Sequence, residues 1–116
     1  MQDFKKLDVY MEAKKLALDI YKITSCFPKV ETFAITSQIR RAAISVGANI
    51  AEGAGRISNP DFLRFLHNSM GSLKETEHFL IVPRELNYIT ASQFEELNLQ
   101  RDKVAKMLSS LMSKIS

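Results

Sequence analysis

The sequence predicts an all-α fold, an antiparallel up-down four-helix bundle, and three observations predict it. Apolar residues recur at three-and-four spacing along nearly all of the 116 residues, the period of one helix face. Glycine (4) and proline (3) are scarce, so few positions break a helix. The breaks that do occur leave four segments of about 20 residues, roughly 30 Å each as helix, with short links between them. Matched lengths and short links make neighbouring helices antiparallel within a single domain over residues 1–116.

The first helix is expected over about residues 7–26. Leu7, Tyr10, Met11, Ala13, Leu16, Ala17, Ile20 and Ile23 form its stripe, and Phe27-Pro28 stops it. After a connection from Pro28 to Thr36, the second helix spans about 37–55, with Ser37 or Thr36 as its N-cap. Its stripe is Ile39, Ala42, Ala43, Val46, Ile50 and Ala54, and Gly53 and Gly55 weaken its end. Ser58-Asn59-Pro60-Asp61 opens the third helix, over about 59–86: a capping side chain, a proline suited to the first turn, and an acid at the positive dipole end. Phe62, Phe65, Leu66, Ser69, Leu73, Thr76, Phe79 and Leu80 share its inner side, and Pro83 should kink or end it before a turn at Asn87-Tyr88. Thr90 and Gln93 have capping-box spacing for the fourth helix, over about 91–115, whose stripe is Phe94, Leu97, Val104, Leu108, Leu111 and Ile115.

Composition excludes several classes of function. Hydrophobic residues make up 46% and charged residues 25%, a globular balance that excludes intrinsic disorder and collagen-like repeats. The single cysteine, Cys26, forms no internal disulfide and suits a reducing compartment. No apolar run approaches the roughly 18 residues of a membrane span, and no apolar stretch follows the basic Lys5-Lys6 as in a secretory signal. The expected compartment is the cytoplasm, with no membrane association. Sixteen Lys and Arg against thirteen Asp and Glu give a net charge of +3, which permits nucleic-acid binding without indicating it.

A search for chemistry finds no enzyme. Glu75 and His78 have the Glu-x-x-His spacing of di-iron bundles, but Arg64 stands three positions before His67, so the second motif is missing. Neither a metal nor any other cofactor is expected. Cys26 lies at a helix C-terminus, where the dipole disfavours a thiolate. Gly53-Ala54-Gly55 lacks the preceding strand and the following Gly-Lys-Ser/Thr of a phosphate loop. No catalytic residue is assigned.

The second helix carries the most unusual pattern. Arg41, Ser45, Asn49, Glu52 and Arg56 recur at steps of three and four opposite the apolar stripe. Two readings stand side by side: a solvated face, or a polar seam inside the bundle or between subunits, with Ser69, Ser72 and Thr76 as partners. Small residues along the same helix (Ala42, Ala43, Gly47, Ala48, Ala51) would let a neighbouring helix approach closely. Arg40, Arg41, Arg56 and Arg64 are the candidate contacts to RNA or DNA, and assembly of subunits would multiply them.

The run from Ser37 to Gly53, SQIRRAAISVGANIAEG, resembles the bacterial four-helix-bundle proteins encoded in 23S rRNA intervening sequences. Three further segments agree: Phe27-Pro28 with Glu31 and Phe33; Phe62 to Leu66 followed by Gly71-Ser72-Leu73-Lys74-Glu75; and Leu86-Asn87-Tyr88-Ile89. The likeness covers about residues 4–112, with two departures. Gly47 stands where the family usually has proline, which makes it a flexible point, and Pro83 is unusual in the third helix. The resemblance implies a left-handed bundle, a ring-like homo-oligomer with a pentamer as its form, and no catalytic activity. It also implies kinship with accessory proteins of diversity-generating retroelements, which associate with a reverse transcriptase and nucleic acid. Arg40, Arg41, Asn49, Glu52 and Glu75 fall at motif positions. Two functions follow: a nucleic-acid-binding oligomer using the four arginines, or a scaffold for a protein partner in which Ser45, Asn49, Glu52 and Glu75 form a polar seam or subunit contact.

Overall fold

The computed structural model describes residues 3–116, and among these it is helical with no strand. A 3-10 turn at Phe4–Lys6 leads into α1 (Asp8–Thr24). A second, Lys29–Glu31, carries the chain to α2 (Ile35–Ala54), followed by α3 (Asn59–Glu85) and α4 (Ala91–Ile115). Each helix packs on two others: α1 on α2 and α4, and α3 on α2 and α4. The two diagonal pairs do not meet, so four helices enclose one core in a body of 43 × 24 × 20 Å.

The helix ends follow local chemistry. Ser58 Oγ accepts from Asp61 N–H at 3.3 Å and Pro60 occupies the first turn of α3. At α4 both halves of the capping box are made: Gln93 N–H donates to Thr90 Oγ1 (3.0 Å), and Thr90 N–H donates to Gln93 Oε1 (2.9 Å).

Three local expectations are corrected. First, α2 begins at Ile35, two residues before Ser37, and neither Thr36 nor Ser37 caps it. The 3-10 turn runs straight into it, with Ala34 N–H donating to Glu31 O and Gln38 N–H to Ala34 O, so no capping side chain is needed. Secondly, Pro83 does not itself stop α3: it is buried in the last turn, and the helix ends two residues on, at Glu85, just before the expected turn. Only one backbone bond is forfeited so near the terminus. Termination falls to Asn87, at φ 62, whose N–H donates to Arg84 O while Tyr88 N–H donates to Pro83 O. That is a Schellman closure with asparagine in the left-handed position. Thirdly, α1 turns inward through Val9, which is buried, while Met11 is exposed. The face is centred between α2 and α4, along Val9, Ala13, Leu16 and Ile20.

The remaining stripes pack as one core, with Leu16, Ile20, Ile39, Val46, Ile50, Leu66, Leu73, Leu80, Val104 and Leu108 fully buried. The α2–α3 contact is the closest. A Cβ on Gly53 would lie 2.8 Å from Phe65 Cβ and 2.9 Å from Phe62 Cδ1, so only glycine fits. One turn further along, the buried Ser69 hydroxyl donates to Val46 O at 2.7 Å across the same seam.

Candidate interaction surface

Small side chains on two adjacent helices create an open apolar groove. Ala13 and Ala17 on α1 face Ala43, Gly47, Ala48 and Ala51 on α2, leaving a depression of about 530 Å³ walled by Tyr10, Leu18, Tyr21 and Ile44. Leu18 is 55% exposed and Ile44 50%. Lys14 is the cationic residue lining it, with Nζ 5.9 Å from the Tyr10 ring centroid. α2 passes through Gly47 without a break, and Gly47 is buried, with the Tyr10 ring 3.6 Å from where its Cβ would be. Leu18 and Ile44 carried a readable signal, since both are large apolar residues lying off the core stripe of their helix.

The polar stripe of α2 borders this groove and is satisfied within its own helix. Ser45 Oγ donates to Arg41 O (2.8 Å), and Asn49 Nδ2 donates to Ser45 O (2.9 Å). Glu52 is exposed and pairs with Arg56 at 3.0 Å. Ser45 and Asn49 are half-buried at the surface of the single chain. Their bonds go to α2 rather than to Ser69, Ser72 or Thr76; Ser69 bonds Val46 O, and Thr76 Oγ1 donates to Ser72 O in its own helix.

The four arginines fall into two groups. Arg40 and Arg41 lie in the first half of α2, whereas Arg56 follows its end and Arg64 sits in the first turns of α3. The 13 residues of helix from Arg41 to Ala54 set the groups about 20 Å apart. Arg40 ties α2 to the end of α1: Nε donates to Thr24 Oγ1 (2.8 Å), a terminal nitrogen donates to Tyr21 O (3.2 Å), and the guanidinium lies 4.6 Å from the Tyr21 ring centroid. Arg56 and Arg64 share Asp61, at 3.6 and 2.8 Å, and flank the Phe65 ring at 4.6 and 4.4 Å. Arg41 is exposed and has no ion pair among the described residues.

Glu75 and His78 are both exposed on α3, and no three His, Cys, Asp or Glu side chains gather into a possible metal site among the described residues. Cys26 is exposed. Periodicity did not single out Arg101, which is 5% exposed between α4 and α3. It donates to Asn98 Oδ1 (2.8 Å) and to Glu77 Oε2 (3.4 Å). Its only signal was an arginine at an inward position, three before Val104 and four after Leu97. At one end of the bundle the Tyr88 hydroxyl donates to Glu31 Oε2 at 2.7 Å, joining links 57 positions apart. Accepting that bond, together with burial and the carboxylate charge, Glu31 holds the Tyr88 phenol above its ordinary value near 10.0.

A family model described as 23S rRNA-intervening sequence protein matches residues 5–110. The chain is also similar to a crystallised protein of unknown function from the S23 ribosomal protein family of Bacteroides thetaiotaomicron. The two are 30% identical, the match covers 90% of this chain and 97% of the other, and the TM-score is 0.80. No curated protein matches the chain.

Proposed function

The chain belongs to the 23S rRNA-intervening sequence protein family, and from that premise we propose that it is a non-enzymatic, self-assembling bundle that binds RNA or DNA through basic side chains multiplied by assembly. The observation that carries this reading is the uncovered apolar groove between α1 and α2. Apolar area left open on both walls of a groove favours burial against another chain. A homo-oligomer, with a ring of five as its form, would repeat the exposed basic side chains around the assembly. A charge of +3 per chain then becomes a field that adds with every subunit. The reading places the protein in the cytoplasm. No helix among the described residues is long and apolar enough to cross a membrane.

A specific observation favours a second reading, a scaffold for a protein partner without direct nucleic-acid contact. Three of the four nominated arginines already have partners in the chain: Arg40 at Thr24, and Arg56 and Arg64 at Asp61. Of these four, Arg41 is the one whose side chain has neither a hydrogen bond nor an ion pair among the described residues. In that reading Ser45, Asn49, Glu52 and Glu75 serve subunit or partner contacts.

Titration of labelled single- and double-stranded RNA and DNA at two salt concentrations separates the two, after light scattering has given the solution mass. Saturable binding with a steep salt slope, weakened in Arg41→Glu at concentrations where that variant keeps the parent mass, is the expected result. Absence of binding at low salt by an assembled protein overturns the nucleic-acid reading and leaves the scaffold.

A further inference from the structure

We propose that Leu99 of one subunit seats in the α1–α2 groove of the next, with the acidic flank of α4 against the groove's basic rim. The proposal rests on the self-assembly reading and names the two surfaces it would use. The occupant is a second copy of this chain.

Leu99 is 71% exposed on the outer face of α4, a large apolar side chain without cover. Glu95 and Glu96 precede it by one turn and Asp102 follows by three residues, so all four share one helix face. Glu95 and Glu96 are exposed and have no ion pair among the described residues. Across the molecule, Lys14 lines the groove and Arg41, three residues before Ile44 on α2, lies just outside its lining; both are likewise free of ion pairs among the described residues. Lys103 and Lys106 share that face but are paired with Glu12 and Asp102, so one chain carries an apolar protrusion with two unpaired acids one turn before it and an apolar depression with unpaired bases beside it. Such surfaces are complementary between copies, not to themselves.

The register of the helices puts the two surfaces at one height. Gln100, next to Leu99, donates to Asp19 Oδ2 at 2.9 Å, which sets Leu99 level with Leu18 and Tyr21 of the groove. Arg40 lies over the Tyr21 ring, so Arg41 stands at that end as well. Glu96 and Lys22 line a common cleft, which places Glu95 and Glu96 at the same end. Towards the other end, Lys103 pairs with Glu12 at 3.3 Å, bringing Asp102, itself paired with Lys106 at 3.2 Å, to about the height of Lys14. The unpaired Glu95 and Glu96 therefore stand level with Arg41 without sliding one subunit along the other. A head-to-tail contact without axial rise closes into a ring, whereas one with a rise would build a filament.

The test is light scattering of the full chain and its variants over a range of concentrations, with helicity followed by circular dichroism. The wild type should have a mass above the 13.2 kDa of one chain. Leu99→Lys and Ile44→Lys should each fall to the single-chain mass while remaining helical. Arg41→Glu and Glu95→Arg should each raise the half-assembly concentration by about tenfold or more, and a mixture of the two variants should assemble better than either alone. A helical Leu99→Lys variant that keeps the parent mass overturns the proposal, even where Ile44→Lys dissociates, because something other than α4 then fills the groove. A wild type of single-chain mass at every concentration overturns the self-assembly reading itself.

Discussion

Two glycines inside helices show how a single position takes its meaning from its neighbours. Gly53 faces Phe62 and Phe65 so closely that a methyl group would lie within 3 Å of both. Gly71 has nothing within 4 Å of the same point and lies exposed in the middle of α3. Gly53→Ala should lower stability by about 1–3 kcal/mol, because the methyl must displace packed rings. Gly71→Ala should raise it by about 0.5–1 kcal/mol, since the helix then loses less backbone entropy on folding. Urea denaturation of both variants checks the pair; equal effects would show that α2 and α3 do not approach as described. From the sequence Gly53 reads only as a weak helix end, because its constraint comes from residues 9 and 12 positions further on. Arg101 was hidden for a similar reason. A charge is usually solvated, and only the position of Glu77 on α3 shows why this one is buried.

At the scale of the elements, the links are as well specified as the helices. Tyr88, just after the Asn87 turn, reaches the 3-10 turn before α2 through Glu31. Phe27 packs beside it with ring centroids 5.6 Å apart. A phenol whose folded value is raised remains protonated, and bonded to Glu31, below the unfolded value near 10. As pH rises above that value the unfolded chain releases the proton first, and stability falls until the folded phenol also ionises. Thermal melts of the wild type should therefore decline above about pH 10, and Tyr88→Phe should decline less steeply over the same window. Equal slopes would mean that the bond to Glu31 does not contribute. Helix existence and most ends were legible here, because caps are local: Ser58 with Asp61, and Thr90 with Gln93, act within one turn. The start of α2 was not, because a preceding 3-10 turn substitutes for a cap.

For the whole molecule, the proposed assembly makes stability depend on concentration. Ligation by another copy favours the folded chain by mass action, so the Tm of the wild type should rise as protein concentration rises, and that of Leu99→Lys should not. A Tm independent of concentration over two to three decades would argue that the α1–α2 groove stays open in solution. A pI near 9.1 draws attention to the arginines, but the fold commits Arg40, Arg56 and Arg64 to internal partners and leaves Arg41 outward. Net charge is a property of composition; which charges remain available is a property of packing.

Four helices, most of their ends and most of the inward stripes were legible in the amino-acid order alone. Those features depend on interactions within one or two turns and on a period that can be counted. The same order also carried the family likeness, through the run from Ser37 to Gly53. Packing between helices is what makes Gly53 a contact point, bonds Ser69 across to Val46 O, buries Arg101, and leaves Leu18 and Ile44 walling a groove. Each of those facts joins residues distant along the chain or on different helices. Helical periodicity fixes the phase of a residue about its own axis, whereas rotation and register between axes are set by the packing of all four helices at once.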